Sequence, residues 1–201
     1  MCNVICVTNR SLCGGSFLRR LEEIAAAGVS AVILREKDMT SGQYRLLAAR
    51  SMEVCRRRRV PCILHNFPGP ALELGAKALH LPMPKLRALG EEERKQFDVL
   101  GASCHTLAEA REAEALGCTY ITAGHIFATD CKRGLAPRGT DFLREVSRAV
   151  EIPVYAIGGI HAANVGEVMQ TGAAGVCVMS GLMRCADVAQ YIDGLRRNMS
   201  R

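Results

Sequence analysis

One phrase recurs along this chain: a helical stretch, a glycine, two or three further residues, then a short apolar run. It falls at Gly28, Gly75, Gly117 and Gly172. A glycine just past a helix supplies the left-handed residue that ends it, and the apolar run behind it suits a buried strand. Strand-like runs are predicted at 3–8, 29–34, 62–65, 78–81, 99–102, 120–123, 154–157 and 175–179. Between them the spacing predicts helices at about 16–27, 41–58, 106–116, 142–150, 163–170 and 188–197, with short ones near 72–74 and 91–96. The run Pro82-Met83-Pro84 is expected to be a loop, since proline cannot continue a ladder. Strands that read as continuous apolar runs are parallel and covered on both faces. The economical architecture is a single-domain (β/α)8 barrel, a TIM barrel, over residues 1–201; a doubly wound open sheet is the alternative.

Composition agrees with one sizeable core, at 49% hydrophobic residues. The apolar runs are far shorter than a membrane span, and the N-terminus lacks a basic region followed by a long hydrophobic segment. The expectation is therefore a cytoplasmic protein with no membrane association. The ten cysteines form no CxxC pair, and Cys6, Cys62, Cys118 and Cys177 lie in or beside strand runs. They read as reduced, small hydrophobes, with no zinc site. The net charge of +6 sits partly in Arg56 to Arg59, which suits a helix end, and there is no Trp among the 4% aromatics. Nucleic-acid binding is not expected.

In a barrel, catalytic groups gather at the C-terminal strand ends. Here those ends carry Thr8, Arg35 and Lys37, Asn66, His80, Ser103 and His105, a stretch from His125 to Lys132, Gly158-Gly159 and Ser180-Gly181. Glycine-bearing turns after the last two strands let backbone N–H groups approach a phosphate. The sixth strand breaks at Gly124 into a loop with His125, Thr129, Asp130, Lys132 and Arg133. That combination places an ionisable imidazole beside groups able to hold an anion; a solvated loop is the plainer reading. His65 and His80 read as satisfied core groups, His105 and His161 as helix caps. Covalent cysteine chemistry at Cys131 is not expected, because no histidine is fixed beside it in sequence.

Leu34-Arg35-Glu36-Lys37, His80-Leu81, Gly101-Ala102-Ser103-Cys104-His105, Gly124-His125-Ile126-Phe127-Ala128-Thr129-Asp130-Cys131-Lys132 and Ala156-Ile157-Gly158-Gly159-Ile160 occur in an order that resembles thiamine phosphate synthases and their relatives, the thiazole tautomerases. The resemblance covers nearly the whole chain and also implies a (β/α)8 barrel. Synthases hold Mg2+ with an aspartate after the third-strand asparagine and another after the fourth strand. Here Phe67 and Lys85 stand at those places, and Ile33 replaces a glutamine before Leu-Arg-Glu-Lys. Mg2+ requires hard oxygen ligands, which neither side chain offers. The Gly-His-Ile-Phe and Thr-Asp-Cys-Lys pattern looks like the tautomerase, in which the histidine is the acid/base residue.

The resemblance thus implies an isomerase of thiamine biosynthesis that aromatises a carboxythiazole phosphate, with His125 as proton shuttle and no metal or other cofactor. The small phosphorylated thiazole substrate would be bound by Arg35, Lys37, Asn66, Ser103, Thr129, Lys132, Gly158, Gly159, Ser180 and Gly181. The synthase itself is the alternative enzyme, and a non-catalytic thiazole phosphate-binding regulator is the alternative of another class. The oligomeric state is left open, a homo-oligomer included.

Overall fold

The computed structural model describes residues 3–129 and 134–199. Eight strands form a closed parallel barrel in the order of the chain: β1 Asn3–Val7, β2 Ala31–Leu34, β3 Cys62–His65, β4 Ala78–Pro82, β5 Val99–Cys104, β6 Tyr120–Gly124, β7 Val154–Ile157 and β8 Gly175–Val178. Each pairs with its sequence neighbours, and β1 closes on β8 with Ile5 opposite Cys177. Helices wrap the outside: α1 Phe17–Ala26, α2 Ser41–Arg57, α3 Pro68–Glu73, α4 Met83–Ala88, α5 Glu91–Arg94, α6 Leu107–Ala115, α7 Gly139–Ala149, α8 Val165–Met169, α9 Ser180–Arg184 and α10 Val188–Met199. This is the expected (β/α)8 barrel.

The four glycines do what their placement predicts. Their φ angles are +78°, +65°, +87° and +89° at Gly28, Gly75, Gly117 and Gly172. Each N–H donates to the carbonyl three residues back, at 3.1, 3.0, 2.9 and 3.3 Å. The next residue, Val29, Ala76, Cys118 or Ala173, is buried. Every one of these turns thus ends a helix and drops an apolar side chain into the core before the next strand begins.

Strand alternation divides the core into two shells. Ile5, Val7, Ala31, Ile33, Ile63, Tyr120 and Cys177 fill the barrel interior. Val4, Cys6, Val32, Leu34, Leu64, Leu79 and Leu81 face the helices. Gly101 leaves the space that the Tyr120 ring occupies: a Cβ there would collide with it. Tyr44 of α2 is fully buried; its hydroxyl donates to Leu34 O and accepts from His65 N–H, both at 2.7 Å, stitching the ends of β2 and β3.

Several local expectations are corrected. Pro82 is the last residue of β4, paired with Ser103, and Met83 to Ala88 form a helix rather than a loop, with a proline in its first turn. Proline's fixed φ and missing N–H suit that position, where the N–H has no intrahelical partner. For the same reason α3, the short helix expected around Leu72, starts at Pro68. Ser180-Gly181 opens α9 rather than forming a free turn. The basic run closes α2 as read: Arg56 pairs with Glu53 at 2.8 Å and Arg58 with Glu22 at 2.9 Å. Among the described residues, no helix is long and apolar enough to cross a membrane.

Candidate active site

The C-terminal ends of the strands enclose a cavity of about 240 Å³. Of the residues singled out from sequence, it brings together Arg35, Lys37, Ser103, His125, Thr129, Gly158, Gly159 and Ser180. Asn66 and Gly181 are not among its lining residues. Asn66 sits at φ +72° and offers its carbonyl to Lys85 Nζ at 2.8 Å; Gly181 lies against Tyr191. Lys132 falls outside the described residues, as do Asp130, Cys131 and Arg133.

At the β2 side, Arg35 and Lys37 are placed by a buried latch. Arg35 N–H donates to Thr8 Oγ1 at 2.9 Å, and Thr8 Oγ1 donates to Glu36 Oε1 at 2.7 Å. Glu36 also accepts the backbone N–H of Arg10 at 3.1 and 3.0 Å, while the Arg10 guanidinium clamps Asp38 at 2.6 and 2.7 Å. The loops after β1 and β2 are thereby tied together. The alternation that points Ile33 inward carries Arg35 to the mouth.

The β6–β7 side is built on close backbone approach. Gly158 and Gly159 have φ of +105° and +68°. A Cβ on Gly158 would lie 2.6 Å from His125 Cβ, and one on Gly159 would meet Ala128 O and lie 2.8 Å from Phe127 Cβ. These glycines therefore serve first to let the β6 loop lie flat on the β7 turn, a role beyond any ligand contact. Backbone hydrogen bonds fasten the seam: Ile126 N–H to Ile157 O and Phe127 N–H to Gly158 O, both at 3.0 Å. His125 is 7% exposed and its Nε2 lies 3.3 Å from Leu135 O. A carbonyl only accepts, so the neutral ring carries its proton on Nε2 and leaves Nδ1 as the basic atom.

The plain readings of the other histidines, core groups for His65 and His80 and caps for His105 and His161, hold only in part. His65, His80 and His105 all line the cavity. His105 is no simple cap: its Nδ1 reaches Gly124 O at 2.7 Å. His80 is satisfied, with Nδ1 2.9 Å from Tyr120 Oη and Nε2 2.8 Å from Ser103 Oγ, and burial pushes its pKa down to about 3. His65 stacks on His80 with centroids 5.8 Å apart, but its buried Nδ1 has no hydrogen-bond partner among the described residues. Burial, helped by His80, Arg35, Lys37 and Lys85, pushes the pKa of His65 down to about 2. The sequence did hold a signal: His65 and His80 lie two residues beyond the inward Ile63 and Ala78, so strand parity alone turns them into the barrel.

The corner between β3 and β4 is where the resemblance puts the synthase's Mg2+ ligands. Here the Phe67 ring packs on Tyr44 with centroids 4.5 Å apart, and Lys85 Nζ stands 5.3 Å over that ring while bonded to Asn66 O. A phenyl face and an ammonium group do not fit a divalent cation, which needs several oxygen ligands.

A closed parallel barrel with a cavity of ionisable side chains at its C-terminal mouth has the form of a (β/α)8-barrel enzyme. This chain belongs to the thiamine monophosphate synthase family, which it matches over residues 4–182. It is 34% identical to a thiamine-phosphate synthase of Syntrophomonas wolfei, over 97% of this chain and 95% of that one. It is 35% identical to thiamine-phosphate synthase 2 of Streptococcus pneumoniae, over 86% and 83%. The solved thiamine phosphate pyrophosphorylase of Pyrococcus furiosus superimposes with a TM-score of 0.85 at 29% identity, covering 98% of this chain and 95% of that one. The resemblance read from the motifs thus holds at the level of the family. Within it, these relatives carry the synthase name.

Proposed function

We propose that this family member is a thiazole tautomerase, which converts a carboxythiazole phosphate tautomer into its aromatic form by a 1,3-proton shift. The observation that carries the reading is His125: a nearly buried imidazole in the cavity wall, with Nε2 committed to Leu135 O and Nδ1 left as the base. In the reaction a C–H bond at a ring carbon breaks and its electron pair enters the ring π system. The exocyclic double bond shifts in step, and the exocyclic carbon takes a proton back from the imidazolium. Atoms and electrons balance within one substrate, so the isomerisation calls for neither a metal nor a redox partner. Arg35, with Lys132, holds the carboxylate. Gly158, Gly159 and Ser180, which line the cavity, would face the phosphate, with Gly181 behind them in the first turn of α9; Lys37, Ser103 and Thr129 would complete the cationic and hydrogen-bonding surroundings of the anion, and Asn66 would act only through the Lys85 corner.

The synthase is the second reading, favoured by the names of the relatives and by Arg35, Lys37, Asn66, Ser103, Thr129 and Lys132, which the resemblance matches to its phosphate-contacting positions. Against it stand Phe67 and Lys85 at the corner its metal would need. The test offers both reactions to the purified protein. With chelator present, ultraviolet absorbance should report ring aromatisation from the carboxythiazole phosphate tautomer. Failure there, together with Mg2+-dependent formation of thiamine phosphate from the pyrimidine pyrophosphate and thiazole phosphate, would transfer the assignment to the synthase.

A further inference from the structure

The cavity has two unlike walls. Arg35 and Lys37 at the β2 exit supply positive charge, and across the β3–β4 seam His65 and His80 lie nearly parallel, at 18°, in the register that pairs them directly. Both nitrogens of His80 are taken, by Tyr120 and Ser103. His65 is 5% exposed and its backbone N–H is used by Tyr44, yet its Nδ1 is unpartnered among the described residues. Buried polar atoms are nearly always paired, and of the three unpaired ones among the described residues only this one belongs to a side chain that lines the cavity, where a ligand could use its bonding capacity. Only His65 in this stacked pair has hydrogen-bonding capacity to spare.

We propose that His65 is a specificity-determining residue that reads the ring of the bound ligand, a flat, uncharged heteroaromatic whose anionic substituents lie toward Arg35. Stacking on His80 holds the imidazole plane, and a ring heteroatom of the ligand pairs with it. Resistance of His65 to protonation keeps a further positive charge away from that ring. The inference rests on the ligand being a thiazole phosphate, as proposed above.

The test compares the parent with His65→Phe, which keeps a flat ring and removes its nitrogens, and His65→Asn, which restores a polar atom near the Nδ1 position. Calorimetry is run with carboxythiazole phosphate and separately with inorganic phosphate. His65→Phe should weaken the thiazole ligand about three- to tenfold, the worth of one net hydrogen bond, and leave inorganic phosphate unchanged; His65→Asn should recover most of the loss. In the parent, the ring ¹⁵N resonances of His65 should move with the thiazole ligand and not with inorganic phosphate, a readout independent of whether any variant folds. Equal thiazole affinity in His65→Phe with a silent His65 resonance, or equal loss of both ligands, overturns the inference. If the parent binds and turns over the tautomer while His65 stays silent, the inference alone fails. If the parent binds it with the His65 signature but does not turn it over, the tautomerase reading alone fails; a parent that binds only inorganic phosphate sinks both.

Discussion

The two sides of the barrel mouth hold their histidines by different means. On the β3–β4 side, His65 and His80 are fixed by burial, ring stacking and the hydroxyls of Tyr120 and Ser103, and both are held neutral far below the usual histidine range. On the β5–β6 side, His105 and His125 each point a ring nitrogen at a backbone carbonyl, and His125 is wedged against a glycine that has no room for a side chain. The first arrangement suppresses proton exchange; the second fixes a tautomer on side chains that line the cavity and leaves their other ring nitrogen without its proton. On the proposed reading, recognition and proton transfer fall on neighbouring strand pairs around one cavity, and each is open to its own perturbation.

Acid should break the β3–β4 side first. A histidine whose folded pKa is depressed binds its proton more readily in the unfolded chain, so stability falls as pH drops below the ordinary value of 6.5 and continues falling toward the folded values of about 2 and 3. Each histidine should cost roughly 2 kcal/mol between pH 7 and pH 5, about 4 kcal/mol for the pair. Denaturant unfolding at several pH values measures the slope, and His65→Phe should remove about half of it. A slope unaltered by that substitution would place the acid sensitivity elsewhere.

The β6–β7 side should be broken by Gly158→Ala. The added methyl must displace the His125 backbone and sits at a φ that side chains rarely adopt, so a loss of about 1–3 kcal/mol is expected, with turnover lost beyond what the remaining folded fraction explains. Unfolding curves and specific activity on the same preparation separate the two effects. A smaller change belongs to Tyr44→Phe, which leaves the buried His65 N–H and Leu34 O without their shared partner. About 1–2 kcal/mol should be lost, while any rise in KM would show that the tyrosine sets the pose of His65 as well.

Much of this architecture was legible in the chain. The helix-ending glycines and apolar runs gave the barrel because each is a local signal, set by one φ angle or one stretch of side chains. The exits that carry Arg35, Lys37, Ser103, His125 and Gly158 followed from the strand ends. What escaped was non-local. Whether His65 and His80 are packed core or cavity wall depends on the register between β3 and β4, which no single stretch encodes. The second role of Gly158 and Gly159 depends on how closely the β6 loop approaches them. The helix after Pro82 departs from expectation for a local reason: proline reads as a stop in a ladder, although in the first turn of a helix it is a start.

The central claim, that His125 moves the proton, is tested most directly by His125→Asn. Asparagine keeps a hydrogen-bonding group near the ring position but cannot carry a proton back and forth near neutral pH. Turnover of the carboxythiazole phosphate tautomer, followed by ultraviolet absorbance, should fall by roughly 10²–10⁴, while the affinity measured by calorimetry and the unfolding curve stay those of the parent. A variant that folds, binds and turns over like the parent would contradict the account and remove His125 from the chemistry.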